Sequence, residues 1–282
     1  MTPLITTYLS ITTIVGCPVQ CLKYCPQELI VASYKGDKAM TLDMFRSFIS
    51  TVPASTDLYI GGFSEPLVNQ EMVAMMEWAS TRGHRIRLFT TLVGLKREEV
   101  ERLCRIPYEM VVLHLPDAFE ISHIPITDEY LYNLGYITKH VKNLRFMNMG
   151  DLDFITNHRE DVARGIDWGW HTTNKRFCAF MESPRYELMP NGEVYFCCEC
   201  SCLTMRVGSL YENTYPELAA KHEALSRQYR NDMDSLCSRC CLSQSYYKAK
   251  VLSAIMRAKD TLTGGIPIKD TRVFKILFGR LF

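Results

Sequence analysis

Three cysteines with equal spacing lie near the start of the sequence, in the segment GCPVQCLKYCPQ. They form a C-x3-C-x3-C pattern made by Cys17, Cys21 and Cys25. Four thiolates close a tetrahedral zinc site, and a four-iron cluster normally takes one thiolate per iron. Three thiolates would therefore leave one iron of a cluster open to a further ligand. The spacing alone suits equally a zinc knuckle whose fourth ligand lies elsewhere, or reduced thiols.

The composition is that of a large globular protein with many cysteines. The chain has 282 residues, of which 47% are hydrophobic, and a net charge of +1. Its basic residues are scattered, so we expect no nucleic-acid surface. The first residues, MTPLITTYLSITTIVG, lack the basic start of a signal peptide and are too polar to span a membrane. We therefore expect a cytoplasmic protein whose twelve cysteines serve metal binding or catalysis rather than disulfides.

Strand patterns and helix patterns alternate over roughly the first 170 residues. The strand patterns are LITTYLSITTIV, DLYIGG, RIRLFTTL, EMVVLHL and LRFMNM. The helix patterns include TLDMFRSFIST, with Thr41 as N-cap, NQEMVAMMEWAST, which opens at Asn69, and NHREDVARGI. This alternation predicts an α/β fold with a parallel sheet and helical crossovers. Because a complete eight-unit barrel typically takes about 250 residues, we expect a partial (β/α)6 TIM-like barrel.

Two segments that could bind a ligand follow neighbouring predicted strands. The cysteine loop follows the first strand, and GGFSEP, residues 61–66, ends the second. Ligands of parallel sheets sit at the carboxyl ends of the strands, so both segments would lie on one face. Gly61 and Gly62 would let the backbone approach a ligand closely, and Glu65 could accept hydrogen bonds from an ammonium group. For this segment alone, an ordinary strand-to-helix turn is the simpler interpretation.

Together, the cysteine loop, GGFSEP and the β/α alternation resemble the radical S-adenosylmethionine (SAM) superfamily. In that family three cysteines bind a [4Fe–4S] cluster, and the amino and carboxylate groups of SAM chelate the free iron. By this resemblance the cluster ligands are Cys17, Cys21 and Cys25. The residues implied to contact SAM are Tyr24, Gly61, Gly62, Glu65 and Thr91.

Two departures from the family pattern concern spacing. The usual loop is C-x3-C-x2-C, and here Lys23 or a neighbour adds one residue before the third cysteine. The shortest form of the second motif is Gly-Gly-Glu-Pro, and here Phe63 and Ser64 stand between the glycines and Glu65. The number of thiolates is the same as in the family. The spacing does not determine the loop geometry or which backbone groups contact SAM.

The cysteines from residue 178 onward resemble the SPASM and twitch extensions of radical SAM enzymes, which carry auxiliary iron–sulfur clusters. The matching segments are LMPNGEVYFCCEC, RVGSLYENTYPELA and SLCSRCC, and no cysteine follows Cys241. This layout implies the shorter twitch form with one auxiliary [4Fe–4S] cluster. Its implied ligands are Cys178, Cys197, Cys237 and Cys240. A structural zinc site with the same four cysteines is the alternative.

We expect three parts along the chain: a radical SAM partial barrel over 1–170, a twitch or SPASM-like domain over 171–260 and an amphipathic tail over 261–282. In the second part, Asn191-Gly192 predicts a hairpin turn, and helix patterns run from Tyr215 to about residue 229 and over 243–259. The tail, PIKDTRVFKILFGRLF, could lie on a membrane surface. Packing on its own domain or on a partner chain is the preferred interpretation.

The resemblance also implies a reaction. A first cluster, reduced by a flavodoxin- or ferredoxin-type partner, would split SAM into methionine and a 5′-deoxyadenosyl radical that abstracts a substrate hydrogen atom. The layout is most similar to twitch dehydrogenases of 2-deoxy-scyllo-inosamine, so we expect oxidation of an alcohol on a carbohydrate-like small molecule, with the auxiliary cluster accepting an electron. Candidate catalytic residues are Cys198, as hydrogen donor, and Glu199, as base. The alternatives are a carbohydrate or peptide epimerase, a peptide maturase, and a non-catalytic zinc or electron-transfer protein.

Overall fold

The computed structural model describes residues 8–21, 25–116, 122–148, 176–178, 185–231 and 243–245. The strands in these ranges are β1 Tyr8–Ile11, β2 Asp57–Ile60, β3 Ile86–Thr90, β4 Tyr108–Leu115, β5 Leu144–Asn148, β6 Arg176–Cys178, β7 Arg185–Leu188, β8 Glu193–Tyr195, β9 Arg206–Ser209 and β10 Ser243–Ser245. The helices are α1 Gln27–Ser33, α2 Leu42–Ile49, α3 Met72–Thr81, α4 Val100–Arg105, α5 Asp128–His140 and α6 Tyr215–Asn231. Two 3-10 turns cover Pro66–Val68 and Arg97–Glu99.

One mixed sheet of eight strands organises the fold, in the order β5-β4-β3-β2-β1-β7-β8-β9. Strands β1 to β5 pair in parallel, and β7 joins the other side of β1 in parallel. Strands β7, β8 and β9 pair antiparallel, and β6 pairs with β10 in a separate small sheet. The predicted α/β fold with a largely parallel sheet is confirmed, and it is consistent with a partial TIM-like barrel.

Alternate residues of β1, β2 and β3 point to opposite faces of the sheet, as the pleat of a strand requires. One face carries fully buried aliphatic side chains that share a core with α2 and α3: Leu9, Ile11, Leu58, Ile60, Ile86 and Leu88. The other face carries an aromatic row in which Tyr8 meets Tyr59 edge-on at 5.0 Å and Tyr59 stacks on Phe89 at 5.5 Å. The guanidinium groups of Arg87 and Arg185 lie over this row.

Local sequence signals account for several elements. The side chain of Thr41 accepts a hydrogen bond from the backbone of Met44 and caps α2, as predicted. The predicted helix after Tyr215 is α6, and the predicted turn at Asn191-Gly192 joins β7 to β8. Because these signals act over a few neighbouring residues, they can be read without the rest of the fold.

Two local predictions were wrong. Asn69 does not open α3, because its amide donates to the carbonyls of Thr13 and Met40 and ties the chain to the first strand's loop. The helix begins three residues later, at Met72. Residues Ser243–Ser245 form strand β10 rather than the start of a helix, because they pair with β6. Both errors come from partners distant in sequence.

Several expectations fall outside the described residues and stay predictions. They are the helix pattern NHREDVARGI, the boundary between residues 170 and 171, and the amphipathic tail over 261–282. Among the helices that the structure describes, none is long and apolar enough to cross a membrane.

The turn between β7 and β8 depends on a glycine. Gly192 has a φ of +76°, in the left-handed region that favours glycine. A Cβ at this position would lie 2.9 Å from the ring atoms of Phe48 and of Tyr211. These two rings pack edge-on at 4.8 Å and connect the segment after β9 to α2, with Gly192 of the hairpin packed against both. The hairpin is therefore docked on the barrel through a position that leaves no room for a side chain.

We expect Gly192→Ala to lower the free energy of unfolding by about 1–3 kcal/mol, because it adds both backbone strain and a clash. The matched control is Gly135→Ala in α5, where a Cβ would meet nothing within 4 Å. That control should stabilise the protein by about 0.5–1 kcal/mol, since it only removes the entropic cost of a helical glycine. Urea unfolding of the two variants checks the opposite signs, and equal effects would contradict the packing argument.

Candidate functional site

The cysteine loop follows the carboxyl end of β1. Gly16 has a φ of +97° and Gln20 a φ of +44°, so the chain turns sharply on either side of the first cysteine. One cavity of about 840 Å³ is lined by three partly exposed thiols, those of Cys17, Cys21 and Cys25. The structure thus brings together the three residues predicted to hold an open cluster. Tyr24, predicted to contact SAM, lies outside the described residues.

The segment GGFSEP contacts the cysteine loop directly. The backbone N–H of Glu65 donates to the sulfur of Cys17 at 3.4 Å. The N–H of Gly61 donates to the carbonyl of Ile11, the last residue of β1. Both predicted segments therefore lie at the carboxyl ends of adjacent parallel strands, where ligands of such sheets bind.

Gly62 lies against a buried polar pair. The hydroxyl of Thr12 donates to Glu187 Oε1 at 2.6 Å and accepts from the N–H of Phe63 at 2.7 Å. Thr12 and Glu187 are fully buried. A Cβ at Gly62 would overlap both side chains, so this position needs glycine whether or not a ligand approaches it.

The carboxylate of Glu65 is buried and accepts four hydrogen bonds from the protein. Oε1 accepts from the hydroxyl of Thr90 at 2.5 Å and from the N–H of Leu67 at 3.2 Å. Oε2 accepts from the N–H and the hydroxyl of Thr91 at 2.6 and 2.7 Å. Burial raises the pKa of this carboxyl, whereas the four donors lower it. An ammonium group at Glu65 would therefore have to displace or share a threonine hydroxyl.

The cavity and its donors fit an iron–sulfur cluster. Its wall supplies three thiols, and burial raises the pKa of the Cys17 thiol while the N–H groups of Glu65 and Val19 oppose that rise. Among the described residues, no group of three acidic, histidine or cysteine side chains converges on one point. A four-iron cluster takes one thiolate per iron, so three thiols on one wall could each bind one iron of such a cluster.

Two of the four predicted auxiliary ligands, Cys178 and Cys197, interact electrostatically. Burial raises the pKa of the Cys197 thiol, and the neighbouring groups of Cys198, Glu199 and Cys178 raise it further. Cys197 forms an isolated bridge with Arg185, at the start of β7, rather than at the end that carries the cysteine loop. Cys178 pairs with Ser243 across the small sheet.

The other two predicted auxiliary ligands, Cys237 and Cys240, lie outside the described residues. Cys240 stands three positions before Ser243 in the sequence, and Ser243 pairs with Cys178 between β10 and β6.

The predicted catalytic pair follows Cys197 directly. The Cys198 sulfur is 3.9 Å from Glu199 Oε1, and both side chains are partly buried. Because Cys197 sits beside the start of β7, this pair lies away from the carboxyl ends of β1 and β2. Their catalytic roles stay a prediction.

Sequence reasoning did not identify several residues of the site. Gln27, two positions after the third cysteine, bonds to both ends of the cysteine loop. Cys200 and Cys202 had no predicted role, yet the neighbouring thiol of Cys200 and the hydroxyl of Thr204 lower the pKa of Cys202. Burial lowers the pKa of His114, on β4, to about 4, so this imidazole is neutral near pH 7. Of these residues, only Gln27 could have been suspected from the sequence, because it stands two positions after Cys25.

Comparison with solved structures identifies the fold. The structure matches BtrN in complex with AdoMet and 2-DOIA, with a TM-score of 0.61 at 12% sequence identity. The match covers 86% of this chain and 94% of that chain. The two chains share one fold.

Two other solved structures match with lower TM-scores. Native anSMEcpe with bound AdoMet has a TM-score of 0.54 at 14% identity, covering 83% of this chain and 86% of that one. Streptococcus suis SuiB bound to the precursor peptide SuiA has a TM-score of 0.50 at 13% identity, covering 84% and 70%. No protein-family model and no curated protein matches the sequence. The resemblance predicted from the cysteine loop and GGFSEP is thus confirmed at the level of the fold.

We expect Thr91→Val to lower the free energy of unfolding by about 1–3 kcal/mol near neutral pH, because it leaves a buried carboxylate one donor short. Burial already holds the pKa of Glu65 above its unfolded value, and losing a donor raises it further. Above its pKa the ionised group lacks that donor, so the deficit should grow as the pH rises through this range and shrink in acid.

Urea unfolding between about pH 4.5 and about pH 8 measures this difference. Thr138→Val, at an exposed threonine of α5 that bonds to the carbonyl of Gly135, is the matched control. A deficit that is independent of pH would contradict the role assigned to the Glu65 carboxylate.

Proposed function

We propose that this chain is a radical SAM enzyme whose first [4Fe–4S] cluster is held by Cys17, Cys21 and Cys25. The observation that carries this proposal is the shared cavity of the three thiols, one of which, that of Cys17, accepts a hydrogen bond from the backbone of Glu65. When bound, the cluster and SAM would supply one-electron cleavage of SAM and abstraction of a substrate hydrogen atom. The radical SAM fold supports the same assignment.

The protein's own groups would bind and orient these cofactors. The three cysteines would ligate the cluster as thiolates, which requires each thiol to lose its proton. Gly61, Gly62 and Glu65 follow β2, and the N–H of Glu65 donates to the sulfur of Cys17. We propose that SAM binds beside this segment. A flavodoxin- or ferredoxin-type protein would supply the electron.

We further propose one auxiliary [4Fe–4S] cluster with four ligands, Cys178, Cys197, Cys237 and Cys240. The interaction between Cys178 and Cys197 supports it, as does the β6–β10 pairing that brings the segment after Cys240 beside Cys178. Four thiolates would close this cluster, so its role would be electron transfer rather than substrate binding.

The preferred reaction is two-electron oxidation of an alcohol on a sugar or aminocyclitol. Its support is the match to BtrN, which extends over 94% of that chain and whose structure holds 2-DOIA. A peptide maturase is the second candidate, because SuiB, bound to its precursor peptide, shares the fold over 70% of its length. An epimerase would share with both reactions the abstraction of a substrate hydrogen atom.

The first test measures iron and acid-labile sulfide per chain after anaerobic reconstitution. We expect about eight of each in the wild type, since two four-iron clusters are proposed, and about four in Cys178→Ala. Cys21→Ala should also hold about four and should lose SAM cleavage under strong reductant. Cys104→Ala is the control, because this thiol lies in α4, outside both sets, and should keep both clusters. Zinc without iron in the wild type would refute the radical mechanism.

The second test separates oxidation from epimerisation. The probe is an aminocyclitol deuterated at its carbinol carbon, incubated with the holoenzyme, SAM and reductant. For oxidation we expect deuterium in 5′-deoxyadenosine and a ketone product, and Cys178→Ala should still cleave SAM while losing the ketone. With the unlabelled aminocyclitol in heavy water, deuterium in a recovered epimer, lost in Cys198→Ala, would favour the epimerase. No reaction with the aminocyclitol, together with modification of a peptide, would favour the maturase.

A further inference from the structure

The side chain of Gln27 connects three parts of the proposed cluster site. It is the first residue of α1 and is half-buried. Its Oε1 accepts from the backbone N–H of Cys17 at 3.1 Å. Its Nε2 donates to the sulfur of Cys25 at 3.2 Å and also to the carbonyl of Phe63 in the GGFSEP segment. One amide therefore bonds to both ends of the cysteine loop and to the neighbouring strand.

These contacts occupy the amide oxygen and both N–H donors of the side chain. A glutamine amide offers one carbonyl oxygen and two N–H donors, and here the oxygen and both donors have partners. Other side chains of similar length cannot make all of these bonds. Met has no N–H donor and no carbonyl oxygen, and Glu has no donor when it is ionised.

The loop that Gln27 closes is one residue longer than the C-x3-C-x2-C spacing. An extra residue gives the third cysteine more conformational freedom relative to the first, and Gln20 already takes a left-handed φ of +44° within the loop. The bonds from Gln27 to Cys17 and Cys25 remove part of that freedom. They would keep the first and third thiols in place in spite of the longer spacing.

The bond to Cys25 also has an electrostatic consequence. Reduction adds a negative charge to an iron–sulfur cluster, and N–H donors to its sulfur ligands stabilise that charge. Cys17 receives such a donor from the backbone of Glu65, and Cys25 receives one from the side chain of Gln27. Removing the side-chain donor should therefore make the cluster harder to reduce.

We propose that Gln27 is a positioning residue that fixes Cys25 in the longer loop and raises the reduction potential of the cluster there. This inference rests on the proposed function, because it requires the three cysteines to hold a cluster. Gln27 contacts the proposed cluster ligands, so the test measures the reduction potential of the cluster rather than enzyme turnover.

The test is a redox titration of reconstituted holoenzyme followed by electron paramagnetic resonance. The first cluster is recognised as the signal that changes when SAM is added, and the auxiliary cluster serves as an internal reference. For Gln27→Met we expect a midpoint potential at least about 59 mV more negative, which is a tenfold less favourable one-electron reduction. Gln27→Glu keeps the acceptor for Cys17 and removes the donors, so its potential should fall as well. Gln228→Met, at an exposed glutamine of α6, is the matched control and should leave the potential unchanged.

Iron per chain and the melting temperature are measured on the same samples. Loss of four irons from Gln27→Met and Gln27→Glu, with a melting temperature of the metal-free chain equal to wild type, would also support the positioning role. Full iron with an unchanged midpoint potential in both variants would overturn the inference while leaving the proposed function intact. A wild-type chain without a SAM-responsive cluster would refute the proposed function, and this inference with it.

Discussion

The buried carboxylate of Glu65 joins the parts of the site that come from different strands. Its side chain accepts hydrogen bonds from Thr90 and Thr91 at the end of β3, and its own backbone follows β2 and donates to Cys17 after β1. A buried carboxylate is costly unless its oxygens are satisfied, so this residue fixes the relative positions of three strand ends. The cavity of the cysteine loop is built on that arrangement.

The fold could be predicted because its signals are local or periodic. The cap at Thr41, the turn at Gly192 and the alternation of strands and helices each follow from a few neighbouring residues. The three cysteines were also predictable, since their spacing needs no partner to be recognised. Asn69 was misread because its amide binds carbonyls 29 and 56 residues away, and no local pattern records such contacts.

The site was less predictable than the fold for the same reason. A carboxylate after two glycines indicates a ligand contact, yet Glu65 has its oxygens occupied by threonines 25 and 26 residues later. Gln27 carries no family signal, and its importance follows from the bond to Phe63, 36 residues away. Matches at 12–14% identity show how little the core requires particular residues, since any apolar residues of suitable volume can fill it.

Strand β7 lies beside β1 in parallel, with Arg185 opposite Tyr8 and Leu188 opposite Ile11. The cysteine loop leaves one end of this pair, and Cys197 bridges to Arg185 at the other. Four residues of strand separate the two ends, on the order of 10 Å along the backbone. A hydrogen-bonded strand cannot shorten or lengthen as a loop can, so it acts as a fixed spacer between the cysteine loop and Cys197. Electron passage between groups bound at those ends would then depend on a constant distance rather than on the timing of a conformational change.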